Sequence, residues 1–102
     1  MRRGTTPTLT FTLSIPVDTI TLLNIAFAQR RKVVIERNLQ NVDLDRDNNI
    51  IKVTLTEEET LKLSSDNSPM EVQLRVGVGD SRMASDIFEV NVDRILKGGV
   101  LE

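Results

Sequence analysis

Apolar and polar residues take turns along most of this chain. Leu9, Phe11, Leu13 and Ile15 share one parity, and Thr8, Thr10, Thr12 and Ser14 share the other. A period of two sends successive side chains to opposite faces of a pleated strand. Pro16 and Asp18 interrupt this run. The next face is Leu23, Ile25 and Phe27, opposite Asn24, Ala26 and Ala28. Gln29-Arg30-Arg31-Lys32 reads as a polar turn, followed by Val33 and Ile35 with Val34 and Glu36 on the other side. Val42 and Leu44 lead into Asp45-Arg46-Asp47-Asn48-Asn49, a turn by composition. Ile51, Val53 and Leu55 then alternate with Lys52 and Thr54.

The period changes once. Thr56-Glu57-Glu58-Glu59 fits a capping box, in which the Thr hydroxyl accepts from the third helical amide while Glu59 reaches back to the cap amide. Three carboxylates also suit the positive end of a helix. Leu61 and Leu63 close this turn, which is expected to bridge two strands and plug one end of the core. After the loop of residues 64–69 comes the cleanest strand. It has Met70, Val72, Leu74, Val76 and Val78 inward, and Glu71, Gln73, Arg75 and Gly77 outward. Gly79-Asp80-Ser81-Arg82 reads as a hairpin turn. Phe88, Val90 and Val92 form the last alternating face, which Ile95 and Leu96 are expected to extend.

These signals predict an all-β chain. The expected fold is an antiparallel β-sandwich of about seven strands with one short helical turn near 57–63. Nothing divides residues 1–102, so one domain is expected, with a flexible tail over 97–102 after Gly98-Gly99. Composition agrees. Valine, isoleucine and threonine supply 29 residues and alanine only three, the balance that favours pleated over helical backbone. With 39% apolar and 27% charged residues, the chain can fill a core and is not disordered throughout.

Missing residue types narrow the chemistry. There is no cysteine, hence no disulfide, thiolate metal site or thiol nucleophile. There is no histidine, the usual general base. A Ser–Lys pair would need a desolvated lysine, whereas Lys32, Lys52, Lys62 and Lys97 all fall at positions expected to face solvent. Asp86, Glu89 and Asp93 could supply a carboxylate pair, but alternation puts them on a solvent face, and all three phenylalanines fall on inward ones. No enzyme activity and no cofactor are expected.

The net charge of −2 and the lack of tryptophan and tyrosine argue against nucleic-acid binding. Basic clusters stand at Arg2-Arg3 and Arg30-Arg31-Lys32, and the second reads as a solvated turn between two strands. The residues after Met1-Arg2-Arg3 form no apolar run of signal-peptide or membrane-spanning length, so cytoplasmic synthesis without membrane insertion is expected.

Two features invite binding. Asp43, Asp45, Asp47 and Asn49 recur at every second position, like the opening of a calcium loop. They lack its turn glycine and its downstream bidentate glutamate, so no metal site is expected and Asp43, Asp45 and Asp47 are a weak candidate only. The second is the first strand. Residues 5–14 carry no charge, a long neutral stretch for a strand that could lie at a sheet edge. Its threonine face, Thr8, Thr10 and Thr12, is the candidate interface.

The opening Arg2-Arg3-Gly4-Thr5-Thr6-Pro7-Thr8-Leu9-Thr10-Phe11-Thr12-Leu13 resembles the start of small proteins encoded in phages and prophages of Gram-positive bacteria. The similarity continues through Ala26-Phe27-Ala28-Gln29, Leu55-Thr56-Glu57-Glu58-Glu59-Thr60-Leu61, Val72-Gln73-Leu74-Arg75-Val76 and Ala84-Ser85-Asp86-Ile87. The resemblance implies a β-sandwich that works by contact as a minor structural or assembly component of a virion, without saying which part of the particle is involved; docking on tail or baseplate proteins is the expectation. Its partners would be other virion proteins or further copies of itself. It would be made in the bacterial cytoplasm and then join the particle. The resemblance also implies a structural role for Ala84-Ser85-Asp86. The competing expectation, from fold analogy, is a module that binds carbohydrate or another cell-surface ligand. The 3% aromatic content disfavours it, since sugar faces stack on exposed aromatic rings.

Overall fold

The two longest alternating runs lie side by side in the larger of two sheets. Leu22–Gln29 (β2) and Met70–Val78 (β6) pair antiparallel, from Leu22 opposite Gly77 to Ala28 opposite Glu71. The computed structural model describes residues 1–66 and 68–101. Asn67 of the 64–69 loop and Glu102 of the tail lie outside the described residues. Lys32–Asn38 (β3) flanks β2. The far side of β6 is shared by Ser81–Ala84 (β7) and Phe88–Val90 (β8). The smaller sheet has Thr8–Thr12 (β1), Ile50–Thr54 (β5) and Asp43–Asp45 (β4), in the order β1-β5-β4.

The inward parity of both sheets builds one core. Ile25, Phe27, Ile35, Val72 and Leu74 of the larger sheet meet Ile51 and Val53 of the smaller. Val17, Leu55 and Leu63, which lie outside the strands, are buried in the same core. Each such side chain contributes roughly 1.5–3 kcal/mol of transfer free energy, the main term holding the two sheets together.

The helical turn is Glu57–Leu61 (α1), and both capping-box bonds form. Thr56 Oγ1 accepts from the Glu59 amide at 3.1 Å, and Glu59 Oε1 accepts from the Thr56 amide at 2.9 Å. It connects the two sheets, from β5 to β6. Arg37 of β3 reaches α1 with a two-pronged ion pair to Glu59, its Nη1 donating to Oε2 at 2.6 Å. Thr60, fully buried, anchors the N-terminal segment by accepting from the Thr5 amide and donating to the Thr5 carbonyl. Arg3 Nη2 donates to the Leu61 carbonyl and Arg2 Nη1 to the Arg94 carbonyl, so both basic residues near the start brace the fold.

Turn chemistry explains where the strands differ from the periodic reading. Arg30 and Arg31 both take positive φ, 53° and 66°, as the middle of a tight hairpin between β2 and β3 requires. The ladder then slips by one residue, because Phe27 opposes Ile35 while Ala28 opposes Val33. This bulge leaves Val33 on the surface instead of sharing the buried face of Ile35. The turn after β6 uses only Gly79 and Asp80, with Gly79 at φ +56°, and Ser81–Ala84 becomes an eighth strand.

At its end β1 stops at Thr12, short of Ile15, because Pro16 begins a single 3-10 turn over Val17–Thr19. The last strand is also shorter than its alternation suggested. Val92 lies beyond it, and Ile95 and Leu96 do not extend it. Instead, Asp93 bridges to Arg2, and Leu96 lies almost fully in solvent. Among the described residues, no helix is long and apolar enough to cross a membrane.

Candidate functional site

The smaller sheet ends at β1, and the hydrogen-bond parity of that strand decides what its free edge presents. The Leu13 amide donates to Asn49 and the Leu55 amide to Pro7, so the odd-numbered residues of β1 exchange bonds with β5. In an antiparallel pair the alternate residues turn their N–H and C=O groups the other way. Those residues are Thr8, Thr10 and Thr12. Their backbones point away from β5 along the free edge, and their side chains are exposed on the outer face of the sheet. The Thr8 and Thr54 hydroxyls lie 2.9 Å apart, while Thr10 stands opposite Lys52. The structure thus brings the three sequence-selected threonines together in one row.

Beside this edge the two sheets part. A groove of about 530 Å³ opens between β1 and the β7–β8 side of the larger sheet. Its walls include Phe11 and Leu13 from the smaller sheet, and Leu74, Val76, Met83 and Phe88 from the larger. Met83 opposes Val76 and Phe88 opposes Val72, so both belong to the inward parity. They are nonetheless 41% and 48% exposed; among the described residues the smaller sheet has no strand beyond β1. Phe88 is therefore not a core residue, in contrast to the fully buried Phe27.

The groove floor is held by Ser85. β7 pairs with one half of β6 and β8 with the other, leaving a gap at Gln73 and Leu74. Ser85 closes it. Its amide donates to the Leu74 carbonyl at 2.8 Å, its hydroxyl accepts from the Leu74 amide at 3.0 Å, and its carbonyl accepts from Gln73 Nε2 at 3.0 Å. Met83, Ser85 and Phe88 have no sequence signal that marks them as neighbours of β1. They approach it only because strand order puts β1 and β7–β8 on the same side of the sandwich.

Edge strands differ in charge. β4 carries Asp43 and Asp45, β3 carries Lys32, Glu36 and Arg37, β7 carries Arg82 and β8 carries Glu89. β1 alone has no charged residue. Charged side chains are a usual defence against unwanted strand addition, and β1 lacks it.

The acidic hairpin is a turn that supplies its own ligands. Asp45 Oδ1 accepts from the Asn48 amide and Oδ2 from Asn48 Nδ2, and the Asn48 bonds hold the Asp45 carboxyl below its ordinary pKa. Asp43 lies across from Lys52. Among the described residues, no three acidic groups gather in an arrangement that could hold a metal ion. Lys32, Lys52, Lys62 and Lys97 are exposed, as are Asp86, Glu89 and Asp93. Arg30 forms an exposed ion pair with Asp66. No family model matches the chain, and no curated protein matches it.

Proposed function

We propose that the protein is a non-enzymatic structural or assembly component of a phage or prophage virion, acting through protein–protein contacts in the tail or baseplate region. One observation carries the contact reading: an uncharged strand edge, with the N–H and C=O groups of Thr8, Thr10 and Thr12 pointing outward, runs beside an open apolar groove. A free edge offers main-chain hydrogen bonds to an added strand, and an adjacent groove takes that strand's alternate side chains. The short blocks that resemble small phage and prophage proteins supply the virion context.

The carbohydrate alternative fits this surface less well. Sugar sites combine aromatic platforms with polar groups, whereas the groove is mainly aliphatic and its rim has a single exposed ring, Phe88.

The test is affinity capture of the tagged protein co-expressed with the virion proteins encoded beside it, with captured chains identified by mass spectrometry. A specific virion protein should be retained by the wild type. Capture should fall at least about tenfold for Phe88→Ser, a change worth about 1.4 kcal/mol or more. Selective binding on a glycan array, with no virion protein captured, would replace this reading with the carbohydrate one.

A further inference from the structure

We infer that the occupant of this edge is a second copy of the same chain, joined to the first by antiparallel pairing of two β1 strands about a two-fold axis at Thr10. The inference rests on reading this surface as a docking site and names what docks there.

Three features point to self-pairing. The first is parity. The outward backbone groups belong to Thr8, Thr10 and Thr12, so a two-fold at Thr10 sets Thr10 against the second copy's Thr10, and Thr8 against the second copy's Thr12. Each of these pairs then exchanges both of its hydrogen bonds. On the outer face this builds an unbroken row of threonine–threonine neighbours, a favourable cross-strand pairing.

The second feature is charge. A strand that pairs with its own copy about a two-fold places the residue on the axis against itself, so a charged residue there meets a like charge. β1 is the one edge strand with no charged residue. The third is the fit of the inner face. Leu9 would stand opposite the second copy's Phe11, so apolar positions meet on that side, and the two three-stranded sheets become one continuous sheet. An isologous contact of this kind closes on itself and yields a dimer without further growth.

The experiment is light scattering after size exclusion, from about 1 μM to about 1 mM, a range that spans weak to firm self-association. The wild type should be a dimer in the upper part of that range. Thr10→Pro removes an outward N–H and none of the bonds to β5. It should raise the dimer dissociation constant at least about tenfold while far-UV circular dichroism and the melting curve keep their folded form. Thr10→Lys and Thr10→Glu each place like charges on the axis and should each be monomeric, whereas an equimolar mixture of the two should recover the dimer. This recovery keeps the test decisive if the proline variant fails to fold.

A wild type that stays monomeric throughout overturns the inference. So does a dimer that survives both charged variants unchanged. If the monomer still captures a virion protein and loses it on Phe88→Ser, self-pairing fails while the contact reading stands. If it captures nothing, both fail.

Discussion

Removing the Glu59 carboxylate should be among the most damaging single changes outside the apolar core. Glu59 does two jobs at one place. Its oxygens take two hydrogen bonds from the Arg37 guanidinium, and Oε1 also accepts the Thr56 amide that opens α1. The pair is largely out of solvent, with side chains 12% and 18% exposed, so water screens it weakly. Hydrogen bonds to a charged group contribute about 1.5–3 kcal/mol, and the cap adds about 0.5–1 kcal/mol. Glu59→Ala should therefore cost about 2–4 kcal/mol, a fall in melting temperature of about 10–20 °C for a domain of this size.

The assay is urea unfolding followed by far-UV circular dichroism, since the chain has neither tryptophan nor tyrosine to report by fluorescence. A double-mutant cycle with Arg37→Ala should give a coupling of about 1.5–3 kcal/mol. A coupling below about 0.5 kcal/mol would refute the assignment of this ion pair as a fastener between β3 and α1. The pH dependence has a definite sign. The Arg37 hydrogen bonds hold the Glu59 carboxyl below its ordinary pKa in the folded state. Its stabilisation is thus complete above the unfolded value, about 4.3, and is lost as pH falls through the lower folded value. The stability gap between wild type and Glu59→Ala should be constant near neutrality and shrink in acid.

Three further changes probe the same framework. Gln29 is buried, its Nε2 donating to the Ser64 and Ser68 carbonyls and its Oε1 accepting the Ser64 amide, so Gln29→Ala strands those groups and should cost about 1–3 kcal/mol by urea unfolding. Thr60→Val keeps the shape but removes the bonds to Thr5. It should cost about 1–2 kcal/mol and speed amide exchange at Thr5 selectively, measured by hydrogen–deuterium exchange. At Gly77 an added Cβ would lie 3.0 Å from the Leu22 Cβ, so Gly77→Ala should cost about 1–2 kcal/mol in thermal melts.

Alternation alone determined the fold class and the inward faces of β2, β5 and β6, because a buried face fixes side-chain parity residue by residue. The pattern Thr56-x-x-Glu59 likewise located α1, since a capping box is a contact within a single turn. Purely local signals failed where a backbone irregularity or a neighbour intervened. The bulge beside Val34 turned Val33 outward, and a two-residue turn at Gly79-Asp80 released Ser81–Ala84 as a strand. The candidate site divides the same way. The neutrality of residues 5–14 and the threonine parity of β1 are written in the chain. That β1 lies at an edge, that it turns the even-numbered backbone groups outward, and that Met83 and Phe88 face it across a groove are decided by strand order. Strand order follows from how two sheets bury one core together, an arrangement that no stretch of neighbouring residues encodes.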